Sequence, residues 1–195
     1  MSFLNELKKQ KEKLKETETV VTNVDGKRYI EGRQQSVTVL PTQYGFIVDT
    51  KPDDVPVLIV DYLYIGSQDC ATDKILESYN ITNVLSLGIT VNLTNVKHKF
   101  VQCLDLPETD IEPVLIESLP FIHVAVTNKE NILIHCNAGV SRTSMVAIAY
   151  LQSMGIDYEE AYNLVKTKRP AIQPNAGFKK QLKGMNISGI IQKYC

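Results

Sequence analysis

A cysteine and an arginine six residues apart can carry phosphoryl transfer if the chain between them is small enough to wrap an anion. The stretch N-I-L-I-H-C-N-A-G-V-S-R-T-S, residues 131–144, has that form. A short apolar strand runs into a loop of small residues, and a helix follows at once. The amides of such a loop and of the helix N-terminus converge on one point and favour an anion there. Cys136 stands at the strand end, where the same field favours thiolate over thiol. Arg142 stands on the first helical turn. Its planar fork can grip two oxygens of a phosphoryl group while the thiolate attacks phosphorus in line. Asn137, Ala138, Gly139, Val140 and Ser141 would line the bound anion, with Gly139 the position most in need of a positive φ. His135 can order the loop through its ring nitrogens. Thr143 can donate a hydrogen bond to the cysteine sulfur as it leaves. Arg142 and the amides together neutralise charge, so the chemistry is expected to need no metal and no cofactor.

Such a loop must be held by regular elements on both sides, and the pattern supplies them. Ile132-Leu133-Ile134 reads as a buried strand, and Arg142 to Met154 as a helix that Gly155 can end. Upstream, Val57 to Val60 and Tyr62 to Gly66 read as short strands. Ser67-Gln68-Asp69 offers a cap, and Ala71 to Tyr79 a helix. Ile81 to Leu87 and Phe100 to Leu104 are further strand expectations. Ile111 to Val126 has mostly helical spacing, with Pro113 suited to its first turn and Pro120 predicting a break or kink. Asp157 with Glu160 starts the next helix in the manner of a capping box, and Arg169-Pro170 ends it. A last helix is expected over Ala176 to Lys183. Strands alternating with helices predict an α/β fold: a central, mostly parallel sheet flanked by helices.

A chain of 195 residues suits one domain with an appendage. Residues 1–19 are rich in lysine and glutamate and read as a solvated helix or tail. Residues 20–56 form an extension with a hairpin signal at Asp25-Gly26, between Thr22-Asn23-Val24 and Arg28-Tyr29-Ile30. Residues 57–195 carry the compact texture of the main domain. Lys plus Arg total 21 and Asp plus Glu 22, a net charge of −1, which excludes a generally basic nucleic-acid binder. No stretch approaches the roughly 20 apolar residues of a membrane span, and residues 1–10 lack a signal-peptide core. The expectation is a cytoplasmic protein, or one that is nuclear as well, without membrane or nucleic-acid partners. Its cysteines (70, 103, 136 and 195) would then be reduced. Cys103 reads as core filler, Cys70 and Cys195 as incidental, and His98 and His123 as satisfied or surface residues. Nothing bears on oligomeric state.

H-C-N-A-G-V-S-R-T resembles the H-C-x5-R-[ST] signature of the cysteine-dependent phosphatases, and A-G-V-S-R is similar to its atypical dual-specificity branch. R-P-A-I-Q-P-N-A-G-F-K-K-Q-L, residues 169–182, resembles the terminal motif of that branch, and Y-L-Y-I-G-S-Q-D at 62–69 its first core strand and turn. The likeness is strong from about Val57 to Leu182 and implies the dual-specificity phosphatase fold. It also implies Asp105, in F-V-Q-C-L-D-L-P-E-T-D-I at 100–111, as the acid that protonates the leaving oxygen and later activates water. Asp110 is the alternative, although it also suits an N-cap for the following helix. Asn175 resembles a family residue supporting the catalytic loop. The neutral side chains of that loop favour a phosphoprotein over a polyphosphorylated lipid. By family analogy a shallow pocket would admit phosphoserine and phosphothreonine beside phosphotyrosine, on proteins of stress-activated kinase pathways.

Overall fold

The computed structural model describes residues 53–190 and the backbone of three strands before them. Two compact units are present, Met1–Lys51 and Pro52–Cys195. In the first, β1 (Thr19–Thr22), β2 (Arg28–Glu31) and β3 (Thr38–Leu40) form an antiparallel sheet in that order. Thr22 pairs with Arg28, so β1 and β2 are the arms of a hairpin around the Asp25-Gly26 position. The turn itself and residues 1–18 lie outside the described residues.

The second unit is a five-stranded sheet covered on both faces. Its strands are β4 (Val57–Val60), β5 (Leu63–Gly66), β6 (Ile81–Leu87), β7 (Lys97–Val101) and β8 (Asn131–His135). The spatial order is β4-β5-β8-β6-β7. Only β4 runs antiparallel to its neighbour; β5, β8, β6 and β7 are parallel. The helices are α1 (Asp73–Ser78), α2 (Glu112–Thr127), α3 (Arg142–Ser153), α4 (Tyr158–Lys168) and α5 (Ala176–Gly184). Strand periodicity sorts the core. Leu85, Leu87, Ile132 and Ile134 face the large cluster with α2 to α5, while Val84 and Leu133 face a smaller one with Leu76 of α1. Both faces of β6 and β8 are therefore largely dry, which is why each carries apolar residues at successive positions, Val84-Leu85 in β6 and Ile132-Leu133-Ile134 in β8.

Two expectations need correction. The strand expected at Phe100–Leu104 lies three residues earlier, at Lys97–Val101. As the sheet edge, β7 leaves His98 and Phe100 exposed, so polar residues fit where an apolar run was required. Helix α2 is continuous through Pro120. Elsewhere the local chemistry acts as read. Asp157 accepts from the Glu160 amide at 3.0 Å, and Gly155 follows α3 at φ +92°. Asp110 accepts from the Glu112 amide at 3.0 Å, one residue ahead of the nominal cap.

The N-terminus of α5 approaches the chain after β7 so closely that only a glycine fits. A Cβ on Gly177 would lie 1.8 Å from the Pro107 carbonyl oxygen, whereas one on Gly184, in the same helix, meets nothing within 4 Å. Gly177→Ala is expected to cost about 1–3 kcal/mol in urea unfolding, as overpacking does. Gly184→Ala should be neutral or slightly stabilising. Equal effects of the two would contradict this account.

Candidate active site

The C-terminal ends of the parallel strands open on one edge of the sheet, the place where ligands bind in open α/β folds. Cys136 follows β8 there and is buried, with Asn137 and Ala138 exposed beyond it. Gly139 has φ +63°, as its position required. A side chain there would also strike the backbone of Gly66, at 2.5 Å.

The carbonyls of this loop are bound from outside. Asn137 O accepts from the Gln68 amide at 2.9 Å, and Val140 O from the Gln173 amide at 2.9 Å. Gly139 O accepts from Arg169 Nε at 3.0 Å and Ala138 O from Arg169 Nη2 at 3.3 Å. In a trans peptide the C=O and the following N–H point in opposite directions, and no peptide here is cis. Carbonyls tied outward therefore turn the amides of residues 138 to 141 the other way, toward the mouth of the site. Helix α3 begins without a side-chain cap on its first amides, which leaves its positive end for a ligand.

Arg142 is half-buried, and its Nη1 donates to Leu87 O at 3.1 Å, which ties it to the end of β6. The next residue, Gly88, has φ +66°, and a Cβ there would lie 2.2 Å from Cys103 O and 2.7 Å from Arg142 Nη1. Asp105 comes from the chain after β7. Its Oδ1 accepts from Ser141 Oγ at 2.6 Å and from Asn175 Nδ2 at 2.9 Å. Its Oδ2 lies 3.8 Å from Arg142 Nε. Asn175 also caps α5, its Oδ1 accepting from the Phe178 amide at 2.9 Å. Two segments, the loop from Cys136 to Arg142 and the chain after β7, thus bring Cys136, Arg142 and Asp105 to one place, with Asn175 supporting them from a third. Asp110 is instead spent on the start of α2.

Two tuning roles take a different form. Ser141 turns its hydroxyl to Asp105 and also accepts from the Asn175 amide at 3.1 Å. Thr143 makes no hydrogen bond to the Cys136 sulfur: its hydroxyl is buried without a partner. It lies one helical step from Arg142, about 100° round the axis, and that step carries it into the core.

His135 is fully buried with its Nε2 2.6 Å from Ser86 Oγ, which in turn lies 2.8 Å from His98 Nε2. Ser86 has one proton to give, so it can donate to one ring and must accept from the other. Burial holds the His135 ring down at about 4, with His98 pushing the same way and the Cys136 backbone opposing both. Partial desolvation of its ring also lowers His98, although the residue as a whole is exposed, and burial pushes the Cys103 thiol up to about 11. Cys103 is core filler beside the site, and Cys70, Cys103 and Cys136 are free thiols. Among the described residues no three His, Cys, Asp or Glu side chains cluster as metal ligands would, and no helix is long and apolar enough to cross a membrane.

Reading by residue missed Arg169, Asp53 and Ser86. Arg169 looked like the end of α4, yet it is 6% exposed and faces the loop. No local cue marks it, because an arginine directly after a helix that already ends in lysines reads as one more solvated cation.

A mostly parallel sheet with this cysteine loop at the C-terminal ends of its parallel strands defines a phosphatase of the cysteine-loop class. Residues 63–187 match the family described as "Dual specificity phosphatase, catalytic domain". The chain belongs to the dual specificity phosphatase family and is a protein-tyrosine/dual-specificity phosphatase. It is 33% identical to a probable dual specificity protein phosphatase of Dictyostelium discoideum, over 93% of this chain and 96% of that one. It is 34% identical to dual specificity protein phosphatase 19 of Mus musculus, over 87% of this chain and 82% of the mouse protein. The crystal structure of DUSP15 superposes with a TM-score of 0.67 at 25% identity, covering 71% of this chain and 94% of that one.

The depressed His135 value has a thermodynamic consequence. The unfolded ring takes a proton near 6.5 that the native state refuses until about 4. The stabilisation is therefore complete above about 6.5 and is lost as pH falls toward 4. Thermal unfolding at about pH 7.5 and pH 5 should show a steeper acid loss in the wild type than in His135→Gln. Parallel losses would count against a native-state neutral ring.

Proposed function

We propose that this protein phosphatase works through a phosphocysteine intermediate, without metal, on phosphotyrosine and phosphoserine or phosphothreonine. Cys136 Sγ attacks phosphorus as thiolate, and the ester P–O bond breaks. Asp105, protonated at that stage, gives its proton to the leaving oxygen. In the second half the Asp105 carboxylate takes a proton from water, whose oxygen attacks phosphorus. The P–S bond breaks, and inorganic phosphate and the Cys136 thiolate are released. Arg142 and the loop amides hold the equatorial oxygens through both halves. His135 orders the loop, and Asn175 with Ser141 keeps the acid at the mouth.

The observation that carries this reading is Asp105 Oδ2 at 3.8 Å from Arg142 Nε, since the acid must reach the oxygen that departs from the phosphoryl group Arg142 grips. The neutral side chains of Asn137, Ala138, Val140 and Ser141 favour a single phosphoester on a protein over a polyphosphorylated lipid. Phosphoproteins of stress-activated kinase signalling in the cytoplasm, or in the nucleus as well, are the proposed substrates. Among the relatives, the Drosophila melanogaster protein is named dual specificity protein phosphatase MPK-4.

Hydrolysis of an aryl phosphate in the presence of a chelator tests the mechanism. Wild type should turn over, Cys136→Ser should be inactive, and Asp105→Asn should lose on the order of 10²- to 10⁴-fold in kcat. Turnover that survives in Cys136→Ser, or that vanishes with the chelator, would overturn the phosphocysteine route. Faster hydrolysis of inositides than of phosphopeptides would overturn the substrate assignment.

A further inference from the structure

The loop of residues 137–140 takes one tie from the helix it enters, Ser144 Oγ donating to Val140 O at 2.5 Å, and the rest from elsewhere. Its carbonyls are tied from two neighbouring turns, after β5 and after α4, and two of the four are tied by one side chain. Arg169 reaches Gly139 O through Nε and Ala138 O through Nη2. The far side of the same guanidinium meets a carboxylate: Nη1 donates to Asp53 Oδ1 at 3.4 Å, and Nη2 pairs with Asp53 Oδ2. With side chains 7% and 29% exposed, the pair is largely removed from water. A buried guanidinium facing carbonyl dipoles alone would carry uncompensated charge, and Asp53 supplies the compensation.

Asp53 is itself fixed by its backbone. Its carbonyl accepts from Ser67 Oγ at 2.8 Å and from Cys70 Sγ at 3.1 Å, and its amide donates to Asp69 Oδ2 at 3.1 Å. The turn that binds Asp53 is also the one whose Gln68 amide binds Asn137 O. A closed circuit results: turn after β5, Asp53, Arg169, catalytic loop, and back to the turn. Asp53 lies ahead of the stretch matched to the family, residues 63–187.

We propose that Arg169, clamped by Asp53, is a positioning residue that sets the direction of the catalytic-loop amides. The inference rests on the phosphatase reading but concerns residues that touch neither phosphate nor nucleophile. Fork geometry is the active property: one planar group must point two N–H vectors at successive carbonyls while presenting its other edge to a carboxylate. Lysine keeps the charge and cannot do this.

The test is kinetic and binding analysis of Arg169→Ala, Arg169→Lys and Asp53→Asn in the full chain, at a temperature well below every variant's Tm. Aryl phosphate turnover and orthovanadate affinity are the two readouts. Arg169→Ala should lower kcat/KM and weaken vanadate binding by on the order of tenfold or more, the scale of small misplacements in an active site. Arg169→Lys should recover little, and added guanidinium ion at sub-denaturing concentration should restore part of the loss in Arg169→Ala but not in Arg169→Lys. Asp53→Asn should give a smaller loss, and combining it with Arg169→Ala should add nothing further. Arg169→Ala within twofold of wild type on both readouts, or a loss that guanidinium does not relieve, would overturn the proposal. A wild type that binds vanadate but does not hydrolyse would defeat the phosphatase reading instead, and the vanadate arm would still decide this one.

Discussion

The molecule depends on the direction of a few peptide planes. A loop that binds an anion through its amides must turn its carbonyls away, and carbonyls turned away from a ligand need partners of their own. Here the partners are the Gln68 and Gln173 amides and the Arg169 guanidinium, with the Ser144 hydroxyl of α3 added at Val140 O. They arrive from two distant parts of the chain, so the loop takes its shape only when the sheet, the turn after β5 and the segment after α4 are all in place. Folding and site assembly are thus one event. The cost of orienting the donors is met once, when the protein folds, rather than at each encounter with substrate.

The same constraint explains where glycine is demanded. Gly139 sits between the Gly66 backbone and the Arg169 fork, and Gly88 between Cys103 O and Arg142 Nη1. In both places φ is positive and a Cβ would collide. These positions let backbone segments approach within a distance that no side chain allows. They draw Cys136, at the end of β8, toward Arg142, which Leu87 O holds at the end of β6. The parallel register supports this, because Ser86 and Gly66 both stand opposite His135 across their ladders.

Much of this could be read from residues 131–144 because strand, small-residue loop, helix and reactive side chains are contiguous there. Buried strands β6 and β8 were legible for a related reason: both faces are largely dry, so successive apolar residues mark their centres. β7 was placed three residues late because an edge strand need not be apolar, and Lys97-His98-Lys99 carries no strand signal. Thr143 and Ser141 were legible as polar residues at the site but not in their contacts, which depend on how far α3 rotates each one. Arg169 and Asp53 stand 116 positions apart. No local pattern joins them, and only the closed fold shows that the residue ending one helix is a strut of the catalytic loop. Asp105 was reached through family resemblance; spacing alone could not separate it from Asp110.

Placement of Asp105, the proposed acid, follows from the same economy of contacts. Asp105 lies on an exposed stretch, flanked by Leu104 and Leu106 at 55% and 44% exposure, and nothing in its own segment would keep a carboxylate in one position. Ser141 and Asn175 provide what the segment lacks, with two donors converging on Oδ1. Both donors belong to elements already committed elsewhere: Ser141 leads into α3, and Asn175 caps α5. The approach of Gly177 to Pro107 then sets how closely α5 lies on the acid's segment. Oδ2 is left without a protein hydrogen bond, on the side of Arg142. A group that must give up a proton and later take one needs an oxygen free of permanent partners. Tying one carboxylate oxygen and leaving the other open fixes the position of the proposed acid and suits the chemistry proposed for it.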